Sequence, residues 1–194
     1  MKIPDWKEAL ASVPGIACVA FAARCARRVQ PLFLVSWPAA PQRLYALLDG
    51  AIETVEESVQ GVDRTNSTFA FNAMSAVKGA SKANAEQASL AASTVACATY
   101  SLTAVGYGTF SATHAAQAAD YSVEAFRVDD SAEQRTGLCK VVAAMQHDID
   151  RLHAGIRNGS ITEDQPLPPG FLGPLWPDGE PEYVTQLPVV DETV

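Results

Sequence analysis

From Gln42 to Gln60 the apolar positions fall at Leu44, Leu47, Leu48, Ala51, Ile52, Val55 and Val59, while Glu53, Glu56 and Glu57 take the opposite side. This i, i+3, i+4, i+7 spacing predicts an amphipathic helix, and Gly61 suits the position just beyond its end. The same period returns in Leu138, Val141, Val142, Met145, Ile149, Leu152 and Ile156. That helix starts at Asp129-Asp130-Ser131, with Asp130-x-x-Glu133 as a capping box, and closes at Asn158-Gly159. Near the N-terminus, Asp5-x-x-Glu8 predicts a short capped helix over residues 4–10, and Ser12-Val13-Pro14-Gly15 breaks it. A helix follows from Ile16 to about Val29, with Ile16, Val19, Ala20, Ala23 and Arg27 on one stripe and Pro31 ending or kinking it. Trp37-Pro38-Ala39-Ala40-Pro41 reads as a loop.

Residues 66–105 are almost all small. They read as one long or interrupted helix, with Met74, Val77, Leu90, Val95 and Leu102 on the buried side, broken at Gly106-Tyr107-Gly108. Another alanine-rich helix runs from Ser111 or Thr113 to about Phe126, with Ala118, Tyr121 and Ala125 inward. The fold class is therefore all-α, an alanine-rich helical bundle of about five helices over residues 1–159. After Ser160 the pattern changes. Seven of the twelve prolines lie between Pro166 and Pro188, which excludes helix and predicts an extended, proline-rich arm over residues 160–194. Phe171, Leu172, Leu175, Trp176 and Tyr183 would be costly to leave in water, so Pro166 to Trp176 is expected to pack on the bundle, with the residues after Gln186 loose.

Composition sharpens this picture in two places. Alanine is about a sixth of the chain, so helices meet through close backbone approach more than through large interlocking side chains. Charged residues are 19%, a low share that leaves room for a face covered by a partner or by a second copy, as in a homo-oligomer. The net charge of −8 belongs mostly to the arm, which holds Glu163, Asp164, Asp178, Glu180, Glu182, Asp191 and Glu192 and no Lys or Arg. Residues 1–159 carry a net of −1, which argues against a nucleic-acid partner. No run of 18 apolar residues predicts a membrane span, and the N-terminus lacks a signal peptide's pattern, so the cytoplasm is the expected location. Cys18, Cys25, Cys97 and Cys139 form no CxxC pair and read as free buried thiols.

Candidate chemistry is sparse. His147, Asp148, Asp150 and His153 are the one cluster of metal-type side chains, but His147 and His153 point about 240° apart on a helix and cannot close a site alone. Glu53 and Glu57 lack the Glu-x-x-His repeat of bundle di-metal sites. Arg24, Arg27 and Arg28 fit the last turns of a helix, paired with Glu53 and Glu56, better than an anion clamp. No phosphate loop, dinucleotide fingerprint or nucleophile elbow is present, so no cofactor, metal or catalytic residue is assigned. Thr103-Ala104-Val105-Gly106-Tyr107-Gly108-Thr109 resembles a potassium-channel filter but lacks flanking membrane helices. A pocket lined by Tyr107, His114 and Tyr121 is the expectation under an enzyme or small-molecule-binder reading.

The run Ala22-Ala23-Arg24-Cys25-Ala26-Arg27-Arg28-Val29-Gln30-Pro31-Leu32, the Trp/Pro loop, the LLDGAIETVEESVQG helix and the alanine-rich helices after it resemble small all-α immunity proteins of bacterial polymorphic-toxin systems. The chain is also similar to alanine-rich helical bacterial proteins ending in a segment like Gly173-Pro174-Leu175-Trp176-Pro177. The resemblance implies a non-catalytic protein-binding module that neutralises a toxin, and it carries over no functional residue. Toxic nucleases are often basic, so the expected contacts are acidic: Glu53, Glu56 and Glu57 on the helix face, and Asp178, Glu180 and Glu182 beside Trp176 in the arm.

Overall fold

The computed structural model describes residues 2–62, 68–105, 110–128, 131–163 and 165–185. The chain is all-helical among these residues, with eight helices where about five were expected. They are α1 (Trp6–Leu10), α2 (Gly15–Ser36), α3 (Gln42–Val59), α4 (Thr68–Lys82), α5 (Glu86–Thr103), α6 (Phe110–Ala125), α7 (Ala132–Arg157) and α8 (Glu182–Thr185). Three of the additional elements are short or come from a split. Asp5 caps α1 by accepting from the Glu8 amide at 3.0 Å. The alanine-rich stretch divides at Ala83-Asn84-Ala85, where Asn84 takes φ 55°, a left-handed turn that Asn tolerates. The four-residue α8 lies inside the segment expected to be extended.

Helix α2 sits at the centre, against α3, α5, α6 and α7. It is apolar nearly all round, which is what a helix surrounded on every side requires. That surround also explains why Pro31 does not end it. The missing amide costs one helical bond, but Leu32, Phe33 and Leu34 beyond the proline are buried, and their packing holds the helix to Ser36. Arg24, Arg27 and Arg28 are consequently mid-helix, so complementing a helix end does not account for them.

The alanine helices meet through their smallest side chains. Ala70, Ala73, Ala76 and Ala80 are the buried face of α4, while Met74 and Val77, expected inward, are only half-buried. Between α5 and α6 the approach is close enough for Ser101 and Ser111 to hydrogen-bond each other's backbone carbonyls, at 2.9 and 3.0 Å. Tyr121, expected inward on α6, is 39% exposed, and Ala118, Ala119 and Ala125 fill the inner side instead. Ser131 caps α7 by accepting from the Gln134 amide at 3.2 Å. The expected Gly106-Tyr107-Gly108 break, the Asp129-Asp130 part of the helix start and the loose end after Gln186 lie outside the described residues.

Beyond α7 the chain folds back. The Leu167 amide donates to the Val59 carbonyl at 3.1 Å, and Leu167, Leu172, Trp176 and Tyr183 are buried in the same core as α2 and α7. Glycines on α7 make room for aromatic rings. A Cβ on Gly155 would meet the Phe171 ring at 2.5 Å, and one on Gly137 would meet Phe126 at 2.6 Å.

Candidate functional site

The polar centre of the molecule lies where α2, α7 and the C-terminal segment meet. Phe21, Cys25, Arg28 and Leu32 share one side of α2, and Val141, Met145, Asp148 and Leu152 share one side of α7. The helical period thus carries a cation and a carboxylate into the core, and both residues are fully buried. Asp148 Oδ2 receives Arg28 Nη2 at 2.7 Å and Arg24 Nε at 3.0 Å. Two guanidiniums on one carboxylate leave an excess positive charge in the interior. Backbone carbonyls of the C-terminal segment answer it. Arg24 Nη1 donates to the Gly173 carbonyl at 3.0 Å and its Nη2 to that of Pro174. Arg28 donates to the Leu175 carbonyl from Nε at 3.0 Å and from Nη2 at 2.9 Å. The Trp176 ring lies 5.7 Å from the Arg28 guanidinium, within cation–π range. Burial lowers the pKa of Arg24, and the adjacent Asp148 charge opposes that shift.

Further contacts continue along the segment. Arg151 donates to the Phe171 carbonyl at 2.9 Å, and Lys140 to the Glu180 carbonyl at 3.2 Å. The Tyr183 hydroxyl, buried against Trp176 and Phe126, donates to the Arg28 carbonyl at 2.7 Å. Burial holds the Tyr183 pKa well above its ordinary value, so the hydroxyl keeps its proton and remains a donor. Among the described residues Arg28 Nη1 and Asp148 Oδ1 have no hydrogen-bond partner.

The residues expected to meet a partner fall in different places. Trp176 is 6% exposed and packs inward against Arg28 and Tyr183. Glu56 pairs with Arg27, at 2.7 Å, and Arg27 also bonds Asp49 at 2.6 Å. Glu53 is exposed and Glu57 half-buried on the same helix. Asp178, Glu180 and Glu182 are exposed, with Glu182 and Lys140 lining a hollow against α7. Glu56 lies instead by the start of the segment, near Leu167–Leu172, so the two acidic groups flank opposite ends of it. Of the His/Asp cluster, His153 donates from Nε2 to the Ala9 carbonyl at 2.8 Å, Asp150 accepts from Gln146 at 2.9 Å, and Asp148 belongs to the buried ion pair. Among the described residues no three His, Cys, Asp or Glu side chains are grouped to hold a metal. Among the described residues no helix is long and apolar enough to cross a membrane.

The cysteines divide three to one. Cys18, Cys25 and Cys97 are buried, which pushes their thiols up to about 12, 12 and 11, whereas Cys139 is exposed, contrary to expectation. A thiol reagent applied to the native protein at pH 8 should modify one cysteine rapidly, and Cys139→Ser should remove that reaction. Rapid native labelling of a second thiol would contradict this burial.

A second feature lies on the outside. Phe110, His114, Gln117 and Tyr121 fall within roughly 60° on α6 at 100° per residue. Phe110 is 61% and Tyr121 39% exposed, and the His114 ring lies 5.6 Å from that of the exposed Tyr100 on α5. The ridge borders an acidic cluster. Partial burial raises the pKa of Asp120, and the nearby charges of Asp5 and Glu124 raise it further. A carboxylate with a raised folded-state pKa costs stability once the pH exceeds it, so Asp120→Asn should stabilise at pH 7 and be neutral below about pH 3. Solvent screening keeps the gain small at this exposed side chain, and urea titrations at the two pH values read its sign. The imagined Tyr107/His114/Tyr121 pocket is not present in this form: His114 and Tyr121 lie on the outward side of α6, and Tyr107 lies outside the described residues.

Comparison with protein-family models, with curated proteins and with solved structures finds no match to this chain.

Proposed function

We propose that this protein is a non-catalytic protein-binding module of the immunity type, which neutralises a basic toxin by covering part of its surface. The observation that carries this reading is the aromatic ridge of Tyr100, Phe110 and Tyr121 beside Asp5, Asp120 and Glu124. Exposed aromatics beside the Asp5 and Asp120 carboxylates fit a partner that offers an apolar surface rimmed by cations, whereas Glu124 is paired with Arg127 at 2.5 Å. Negative charge also speeds encounter with such a partner. Glu53 on α3, and Asp178 and Glu180 before α8, are further exposed carboxylates. Glu56 contributes less, being paired with Arg27.

The small-molecule-binder reading rests on a cleft of about 220 Å³ between α2, α3 and Leu167–Leu172, with Ala20 and Ala23 in its lining. Its charged groups are already bonded within the protein: Arg24 to Asp148, Gly173 and Pro174, and Glu56 to Arg27. They are not aimed at a ligand, so the ridge is favoured.

The test places a photo-crosslinking amino acid at Tyr121 of the full-length protein in its native host. One cross-linked basic protein is expected, lost when Tyr100 and Phe110 are both replaced by Ser. Cross-links only to a second copy of the chain would replace this reading with a homo-oligomeric scaffold. A bound metabolite in the native mass, with no cross-link, would move the search to the cleft.

A further inference from the structure

The groove between α2 and α7 recognises the C-terminal segment in an unusual way. Arg24, Arg28 and Arg151 bind the backbone carbonyls of Phe171, Gly173, Pro174 and Leu175, not their side chains. Side-chain selection is confined to a few points. Gly173 takes φ 73°, which other residues rarely adopt, and a Cβ there would lie 3.3 Å from Arg151 Nη1. Trp176 supplies the buried anchor over Arg28. The prolines on either side restrict the segment before it docks, so little conformational freedom is lost on binding. Such a site reads a Gly-Pro-Leu-Trp segment set between two turns as a ligand, and none of these contacts depends on which chain the segment belongs to.

We propose that the Arg24–Arg28–Asp148 groove is a peptide-binding site that also accepts residues 171–176 of a second copy, so that two chains exchange their C-terminal segments. The occupant follows from what is seen in the groove: this segment completes the charge of the buried cluster, and a second copy carries the identical one. The connection permits the exchange. The chain leaves α7 at Gly159 with φ 74°, and beyond the buried Ile161 the residues Thr162, Glu163, Gln165 and Pro166 are exposed, so the connection can re-aim there while the buried side chains of the segment leave together with it. The exchanged and unexchanged forms contain the same contacts, and concentration decides between them. Attachment in cis is equivalent to a local concentration on the order of millimolar. The monomer therefore dominates at micromolar protein, and exchange becomes measurable when the protein is unfolded and refolded near millimolar.

The experiment refolds an equal mixture of unlabelled and nitrogen-15-labelled full-length chains near millimolar concentration, then separates monomer from dimer. A zero-length carbodiimide reagent joins Lys140 to Glu180 or Glu182, which lie together in the docked form. Cross-linked peptides of mixed label in the dimer, and of single label in the monomer, are expected. Trp176→Ala weakens the closed monomer and the exchanged dimer alike and leaves the undocked monomer unaffected, so where it releases the segment the dimer fraction should fall at least about tenfold while the bundle stays folded. Absence of a dimer, a dimer without mixed-label cross-links, or a Trp176→Ala dimer that persists after its segment no longer cross-links to Lys140 would each overturn the proposal. A dimer held by the aromatic ridge would give only single-label products, which separates failure here from failure of the partner-binding reading.

Discussion

Replacing Asp148 by Asn should destabilise the protein by roughly 3–5 kcal/mol, the range seen when one member of a buried ion pair is removed. Asparagine keeps the shape and loses the charge. Arg24 and Arg28 are then left with carbonyl oxygens alone to balance two cations, and Arg28 has no route to solvent while the C-terminal segment is docked. Urea denaturation reads the loss. Replacing both Arg28 and Asp148 by apolar residues of similar size, Met and Leu, should cost less than the sum of the single changes, because the fully buried cation leaves with the carboxylate and only the part-exposed Arg24 stays, held by the Gly173 and Pro174 carbonyls. A loss below about 1 kcal/mol for Asp148→Asn would mean that the pair is not buried as described. His147 and Asp150 are next to Asp148 in sequence but outside this pair, and Asp150→Asn serves as the control with little expected effect.

The second large effect is that of Trp176→Ala. Truncating a buried tryptophan typically costs about 3–5 kcal/mol. Here the cost falls on one segment rather than on the whole fold, because the chain can release residues 166–185 and keep the α2–α6 packing. The loss is therefore capped by the docking free energy of that segment. A protease acting beside the exposed Thr162, Glu163, Gln165 and Pro166 should cut the variant about a hundredfold faster or more, following the undocked population. The unfolding midpoint of the bundle should move much less. Equal cutting rates for variant and wild type would show that the Trp176 contacts with Arg28 and Tyr183 do not hold the segment in place.

Both effects arise at a site that sequence reasoning passed over. Asp148 was weighed as part of a metal-type cluster with His147, Asp150 and His153, and the three arginines as cations near a helix end. The available signal was the position of the charges. Arg28 and Asp148 each stand on an apolar stripe, one helical turn from Cys25 or Leu32 and from Met145 or Leu152, where a solvated charge does not belong. Two such misplaced charges of opposite sign suggest a buried pair, but α2 and α7 are more than a hundred residues apart, and nothing local says that they touch. Trp176 shows the converse. Its apolar bulk made it an attractive contact for a partner, and the protein uses that bulk internally.

Local pattern was sufficient for much of the rest. The α3 stripe, the α7 stripe, the Asp5 cap and the loop from Trp37 to Pro41 are set by neighbours within one or two turns, and each appears where periodicity places it. Pro31 and Tyr121 differ because tertiary packing outweighed the local rule. Burial of Leu32, Phe33 and Leu34 carries α2 past its proline. Mostly alanine and serine at the inner positions of α6 bring α5 too near for a tyrosine to fit, so the ring turns outward.

The sequence by itself determined that the chain is helical and alanine-rich and that its last thirty-five residues differ in composition from the rest, because these follow from short-range preference and residue content. Which charges are buried, what the Trp176 segment binds and which aromatics remain outside were decided only by the tertiary structure. Those outcomes depend on contacts between residues far apart in the chain, and the energy of a charge or a ring is set by what surrounds it.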